Sequence, residues 1–142
     1  MSELADRSIL ALRENRDELA DQVRHFSADD LNRPSGSSAW DVAQVLSHLG
    51  SGAEIGLDGL NRALAGEASA PPDFNQGVWD RWNAMTQQQK ADGFLESTEL
   101  LLSTYEAMDA QTRADLNVDL GFLPAPVLND VHTCMRLNEA LL

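Results

Sequence analysis

The sequence is poor in cysteine and in basic side chains. Its 142 residues contain one cysteine, Cys134, so no disulfide can form within the chain and the fold needs no oxidising compartment. Only 10 Lys and Arg stand against 23 Asp and Glu, which gives a formal net charge of -13. This excess repels a phosphate backbone, and the basic residues are scattered singly. We therefore expect a cytoplasmic protein that does not bind nucleic acid.

Long hydrophobic runs are also lacking. No apolar stretch approaches the ~20 residues that span a bilayer. The N-terminal segment alternates charged and apolar positions as an amphipathic helix does, which is unlike a signal peptide. The apolar fraction of 43% is ordinary for a globular chain of one-domain length. We therefore predict a single soluble domain over residues 1–142 that does not interact with membranes.

Apolar residues recur at three- and four-residue steps in four long segments, which is the pattern of amphipathic helices. The first segment covers 3–26, and the second begins near Ala39 behind an expected N-cap at Ser38. The third follows a capping box at Thr86, and the fourth starts at Pro126 and carries an apolar stripe of Leu128, Val131, Met135 and Leu142. No strand-like alternation extends over more than a few residues. The sequence thus predicts an all-α bundle of four principal helices.

Shorter segments connect these helices. A capped turn is predicted at Ser27, and a helical turn carries Trp79 and Trp82, while the segments 66–74 and 112–126 are predicted to be loops. Glycines at positions 50, 52, 56 and 59 lower the helix propensity of the second helix, by on the order of 1 kcal/mol each. We expect that helix to persist and to allow close approach. The predicted core consists of Trp40, Leu46, Leu49, Leu95, Leu102, Tyr105 and Met135.

Three side chains are candidates for chemistry. His48 lies at the edge of the apolar stripe of the second helix, where it is either a hydrogen-bonded core histidine or a ligand. His132 and Glu139 lie two turns apart on the predicted apolar face of the last helix, a rise of ~10 Å. Only one of them can therefore join His48 at a single metal ion. Glu139 needs a partner on such a face, and a bond to Arg136 is the alternative to ligation.

Two segments resemble the signatures of a known family. The segment 40–49, WDVAQVLSHL, resembles the W-x-V-x(5)-H-L signature of the mycothiol-dependent maleylpyruvate isomerase family within the DinB-like superfamily. The segment 136–139, RLNE, resembles the start of its R-x-x-E-x-x-x-H signature. The resemblance covers essentially the whole chain and implies a DinB-like four-helix bundle with irregular connecting loops. It also implies that His48 and Glu139 are ligands of a divalent metal, with zinc expected.

The third ligand of that signature falls beyond the sequence. Four residues after Glu139 is position 143, and the last residue is Leu142. His132 cannot simply replace it, because it lies close to two turns from Glu139 along the helix axis. We therefore expect the domain to end just before the last metal ligand of the family, with an incomplete metal site.

The resemblance implies a metal-dependent enzyme that activates a low-molecular-weight thiol, mycothiol, for addition to an electrophilic substrate. A metal held by two imidazoles and one carboxylate keeps open positions and lowers the pKa of bound water or thiol. The isomerase that names the family also carries a C-terminal domain, for which no residues remain here. The sequence therefore favours a zinc-dependent mycothiol S-transferase-like activity over maleylpyruvate isomerisation, with a small-molecule thiol and an electrophile as partners.

Other functions stay open at this point. One is a non-catalytic, degenerate helical module that binds a small ligand in the same cavity, as a monomer or a homodimer. Another is a regulatory interaction protein, which only the acidity suggests. Cys134 is either a nucleophile or a small packed residue, and it has no adjacent lysine to activate it. Trp79 and Trp82 either stack on a ligand or pack in the bundle.

Overall fold

The chain is all-α, as predicted. A computed structural model describes residues 3–37, 39–121 and 123–141. Among the described helices, none is both long enough and apolar enough to cross a membrane. The elements in chain order are α1 Glu3–Val23, α2 Ala28–Asn32, α3 Val42–Ala65, α4 Phe74–Asn83, α5 Gln87–Ala107, α6 Ala110–Asp115, β1 Asn117–Val118, β2 Val127–Leu128 and α7 Asn129–Leu141.

The four long helices form the bundle. Helix α3 packs along α5, α1 packs along α7 and against α5, and α7 also contacts α3. The short helices α2, α4 and α6 lie in the connections between them. The strands β1 and β2 pair antiparallel, with Asn117 opposite Leu128 and Val118 opposite Val127, and this ribbon leads the chain into α7. The site-bearing helices α3 and α7 are therefore neighbours.

Helix α3 begins later than the sequence predicts. Asp41 is its N-cap, because its side chain accepts a hydrogen bond from Gln44 N at 2.7 Å while Gln44 Oε1 accepts one from Asp41 N at 2.9 Å. Asp41 also forms an isolated antiparallel bridge with Pro34, which keeps it extended. The predicted start near Ala39 is therefore wrong. The predicted N-cap, Ser38, lies outside the described residues.

Most other helix ends agree with the sequence. The capping boxes at Ser27 and Thr86 form, and α4 carries Trp79 and Trp82 as predicted. Helix α3 ends at Gly66, whose φ of 70° is the left-handed conformation that glycine adopts without strain. Helix α1 ends before the predicted limit of 3–26, because the residues after position 23 form a turn.

The last helix starts later than predicted, and the segment before it is more ordered. Pro126 is not the first residue of α7, because Val127 and Leu128 pair with β1 and the helix begins at Asn129. The predicted loop 112–126 contains the end of α6 and all of β1. Strands of two residues are too short to produce a visible alternation in the sequence.

The buried core has two parts. One lies among α1, α3, α5 and β1, and the other lies where α2 joins α3 and α5. The predicted core residues Leu46, Leu102 and Tyr105 are buried, while Leu49 and Leu95 pack at the edge of the second part. The buried side chains of the first part are Ile9, Leu12, Ala53, Leu60, Leu101, Leu102, Tyr105, Met108 and Val118.

Two predicted core residues are exposed instead. Trp40 keeps 39% of its surface accessible, because it precedes α3 and its ring lies against His48 rather than inside the bundle. Met135 is 38% exposed, because α7 turns the opposite face to the core. Trp40 was misplaced because the helix starts after it, whereas Met135 lies on a predicted helix that turns its other face to the core.

Helix α7 buries a polar face and exposes an apolar one. Asn129, His132 and Thr133 are buried, whereas Val131 and Met135, two members of the predicted apolar stripe, are exposed. Most of these buried groups have partners, although Asn129 Oδ1 has none among the described residues. The Asn129 backbone N–H donates to the Leu116 carbonyl at 2.9 Å, and Thr133 Oγ1 donates to the Asp130 carbonyl at 2.9 Å. These bonds offset the cost of burying polar atoms. Leu142, the end of the predicted stripe, lies outside the described residues.

The glycines of α3 allow close approach, as expected. Trp82 from α4 is fully buried, and a Cβ added at Gly50 would overlap its ring. A Cβ at Gly93 of α5 would lie 2.8 Å from the same ring. The indole therefore occupies space that these two glycines leave free.

We predict that Leu102→Ala lowers the free energy of unfolding by about 2–5 kcal/mol, because it removes a buried side chain from the larger part of the core. Leu100→Ala is the matched control on the same helix, since Leu100 is half exposed, and it should change stability by less than about 0.5 kcal/mol. Urea unfolding followed by circular dichroism measures both. Equal effects of the two substitutions would contradict this description of the core.

Candidate functional site

An open cleft of about 810 Å³ lies between α3 and α7. The segment that contains Pro71 and Pro72 borders it, and so does the turn after β1. Its volume falls in the range of small-molecule sites. The titratable side chains that line it are His48, Asp58, Asp119, His132, Arg136 and Glu139.

His48 and Glu139 meet at this cleft. His48 Nε2 donates a hydrogen bond to Glu139 Oε1, although the two residues lie 91 positions apart in the sequence. Their predicted approach is confirmed. Their side chains remain 45% and 36% exposed, so His48 lies at the cleft and not inside the packed core. Glu139 bonds His48 rather than Arg136, which was its alternative partner.

Trp40 positions the His48 ring. Their ring centroids are 5.2 Å apart, with the planes tilted by 43°. The backbone of Trp40 is held in turn, because its carbonyl accepts hydrogen bonds from Ser35 N at 3.1 Å and from Ser35 Oγ at 2.7 Å. One side of the imidazole is thus covered, and the side chain is restrained toward Glu139.

The other two tryptophans, Trp79 and Trp82, lie in different environments. Trp82 is packed in the bundle, whereas Trp79 is half exposed and lines the cleft. Both also border a smaller cavity of about 160 Å³ that His48 shares with Trp40. Trp79 is therefore placed to contact a ligand, and Trp82 is a core residue.

His132 belongs to a separate buried pair. Its Nδ1 lies 2.5 Å from the Tyr105 hydroxyl, and both side chains are buried. Burial lowers the pKa of His132 to about 4, with a further lowering by the charge of Arg136, and burial raises the pKa of Tyr105. At neutral pH the hydroxyl therefore donates to an uncharged imidazole. Of the two candidates on α7, only Glu139 joins His48, as the helix geometry requires.

Arg136 lies against the glycines of α3. A Cβ at Gly52 would be 3.1 Å from Arg136 Nη2, and one at Gly56 would be 3.4 Å from its Cδ. Among the described residues Arg136 has no hydrogen bond or ion pair, its Nε is shielded from solvent, and burial lowers the pKa of its guanidinium. The glycine spacing and the arginine are separate signals in the sequence, and only the fold brings them together.

Cys134 is not part of the His48–Glu139 cluster. Its Sγ lies 3.2 Å from Ser8 Oγ across the α1–α7 contact, and the residue is partly buried. This environment agrees with a small packed residue, and it brings no cationic group to the sulfur in the described ranges.

His48 and Glu139 carry donor atoms that suit a divalent metal. An imidazole nitrogen and a carboxylate oxygen are both zinc donors, and here they touch each other at an open cleft. Over residues 3–37, 39–121 and 123–141, no three His, Cys, Asp or Glu side chains group closely enough to hold a metal ion. The described residues therefore supply two of the three protein ligands that a catalytic zinc ordinarily takes. The assignment of His48 and Glu139 as ligands stays a prediction.

The fold and this pair of side chains define a helical domain with a His–Glu cleft. The family model of the mycothiol maleylpyruvate isomerase N-terminal domain matches residues 12–141, and the chain belongs to this family. No curated protein sequence matches the chain.

Two solved structures share the fold. A crystal structure of the mycothiol-dependent maleylpyruvate isomerase matches 99% of this chain with a TM-score of 0.77 and 12% sequence identity. A histidine-to-alanine mutant of that enzyme matches with a TM-score of 0.78 and the same identity. The chain spans 60% of the length of either relative. At this identity the likeness establishes the architecture, and the activity of the chain has to be argued from its own cleft.

We predict that His132 makes stability depend on pH between its ordinary pKa and its folded pKa of about 4. In this window the unfolded chain binds a proton that the folded protein does not, so stability is lost as pH falls. From pH 7 to pH 5 this loss amounts to about 2 kcal/mol. His132→Gln lacks this titration. The difference in free energy of unfolding between wild type and His132→Gln should therefore be smaller at pH 5 than at pH 7 by that amount.

Urea unfolding at pH 7 and pH 5 measures this difference. His25→Gln is the control, because His25 is exposed in the turn after α1, where its Nδ1 bonds the Asp21 backbone carbonyl. Its pH dependence should match that of wild type. Parallel pH profiles for wild type and His132→Gln would show that His132 is not held neutral by burial.

Proposed function

We propose that the chain is the metal-binding domain of a thiol-dependent enzyme of the isomerase or transferase type. The observation that carries the proposal is the contact of His48 Nε2 with Glu139 Oε1 at an open cleft. Membership of the mycothiol maleylpyruvate isomerase N-terminal domain family makes mycothiol the thiol expected. The two residues are those that the sequence signatures assign as ligands.

A divalent metal such as zinc, held by His48 and Glu139, would lower the pKa of a bound thiol and so supply a thiolate at neutral pH. The family signature predicts a further ligand four residues after Glu139, on the same face of the helix. Trp40 restrains the imidazole of His48, so the ligand nitrogen keeps its direction toward Glu139.

The cleft itself offers room and a surface for both reactants. Its volume of about 810 Å³ accommodates a small thiol beside a small electrophile. Trp79 contributes a half-exposed aromatic surface to the wall. The buried pair of His132 and Tyr105 is uncharged at neutral pH, whereas Arg136, which also lines the cleft, carries a positive charge.

We predict that the 142-residue chain binds Zn²⁺ weakly, whereas a chain extended by one histidine after Leu142 binds it firmly. The reason is the number of ligands, since water would have to replace the third protein donor in the shorter chain. Isothermal titration of both lengths with Zn²⁺ measures the difference. His48→Ala in the extended chain should abolish the tight binding.

The control for that titration is His25→Ala, which removes a distant exposed imidazole. Tight, His48-dependent binding by the 142-residue chain would show that another residue completes the site. Absence of binding in both lengths would contradict the metal proposal and favour a non-catalytic module that binds a small ligand in this cleft.

We also predict that the extended chain, loaded with Co²⁺, gives a thiolate-to-cobalt charge-transfer absorption when mycothiol is added. A thiolate bound directly to the metal produces this band, and a thiol bound elsewhere in the cleft does not. Serine methyl ester, which offers a hydroxyl, is the negative control. Saturable thiol binding without a charge-transfer band would contradict the proposed role of the metal in activating the thiol.

A further inference from the structure

Arg136 differs from the other partly buried arginines of the described chain. Arg13 bonds Glu99 and Glu106 at 2.6 and 2.5 Å, Arg62 bonds Asp58 at 2.8 Å, and Arg113 bonds Asp6 at 2.9 Å. Arg16 bonds Asp17 and Glu99, each at 3.3 Å. Within the described ranges Arg136 has no such partner, although the chain carries 23 Asp and Glu. Its isolation is therefore a property of the site and not of the composition.

The acidic groups that line the cleft are engaged elsewhere. Asp58 bonds Arg62, and Asp119 Oδ1 accepts a hydrogen bond from Gly121 N at 2.9 Å. Glu139 accepts from His48. The Tyr105 hydroxyl, which is close enough to influence the charge of Arg136, lies 2.5 Å from His132. No described acceptor is thus left for the guanidinium.

The backbone of α3 is shaped to hold this side chain. Gly52 and Gly56 lie one turn apart and leave the space that the arginine occupies, since a Cβ at either position would touch it. Only Nε of Arg136 is fully shielded from solvent without a partner, so the Nη groups keep access to it. A partly buried charge without a counter-charge costs free energy unless a ligand provides one. The planar guanidinium matches a carboxylate, which it can bind with two parallel hydrogen bonds.

We propose that Arg136 is the anion subsite of the cleft and binds the carboxylate of a small-molecule ligand. Arg136 and Glu139 are three residues apart, a rise of about 4.5 Å along one face of α7. A carboxylate on Arg136 therefore places the neighbouring atoms of a small ligand beside His48 and Glu139. The assignment of this carboxylate to the electrophilic substrate rests on the proposed function, whereas the binding of the anion does not.

Malonate titration of the metal-free 142-residue chain tests the subsite. The readout is the backbone amide signal of Gly52 in ¹⁵N-edited NMR spectra, because Gly52 lies against Arg136 and its amide is present in wild type and in every variant, with NaCl at equal ionic strength as reference. We expect a saturable shift of this signal with a Kd tighter than about 10 mM. Arg136→Lys should weaken binding, because lysine keeps the charge but cannot form the two parallel hydrogen bonds of a guanidinium. Arg136→Met removes the charge as well and should weaken binding at least tenfold.

Arg24→Met is the matched control, because it removes the same charge from an exposed position outside the cleft. It should bind malonate as wild type does. Malonate should also raise the Tm of wild type and leave that of folded Arg136→Met unchanged, which a purely structural arginine would not produce. Equal binding by wild type and Arg136→Met, or no saturable binding by wild type, would overturn the proposal. Because no metal or thiol is present, either result is independent of the zinc titration.

Discussion

The close approach of α7 to α3 is the constraint on which the site depends. It exists because α3 carries no side chain at Gly52 and Gly56, where the stem and head of Arg136 lie. With α7 this close, the pair of His48 and Glu139 can form one turn further along. A larger residue at either glycine position would displace Arg136. The same two glycines thus link the packing of the bundle to the chemistry of the cleft.

The polar buried face of α7 follows from the same arrangement. An amphipathic helix normally turns its apolar side inward, and α7 does the opposite because its polar groups find partners on other elements. His132 meets Tyr105, and Asn129 bonds the backbone next to β1. Such a network fixes the rotation of the helix about its axis. That rotation directs Arg136 and Glu139 toward the cleft and leaves Val131 and Met135 exposed.

The sequence predicted what depends on local spacing and failed where distant partners decide. His48 and Glu139 were identified because the signatures place each at a definite point of a helix. The start of α3 was misplaced because Ser38 and Asp41 are both suitable N-caps, and the bridge of Asp41 to Pro34 is not visible in a helical pattern. The exposure of Met135 was missed because hydrophobicity alone predicts that Met135 is buried and that the polar residues of α7 are exposed. The partners that allow His132 and Asn129 to be buried lie on other elements. Among the described residues Arg136 has no hydrogen-bond or ion-pair partner, and this depends on the positions of distant residues in the fold, which the sequence does not show.

The proposed metal site therefore consists of two side chains that converge and a third ligand that the family signature places after Glu139. Zinc K-edge X-ray absorption of the chain extended by one histidine, loaded with one equivalent of Zn²⁺, tests this directly. We expect nitrogen and oxygen neighbours at about 2.0–2.2 Å with the scattering pattern of imidazole, and a reduced imidazole signal in His48→Ala. A spectrum that is unchanged in His48→Ala, or one that contains sulfur from Cys134, would contradict it.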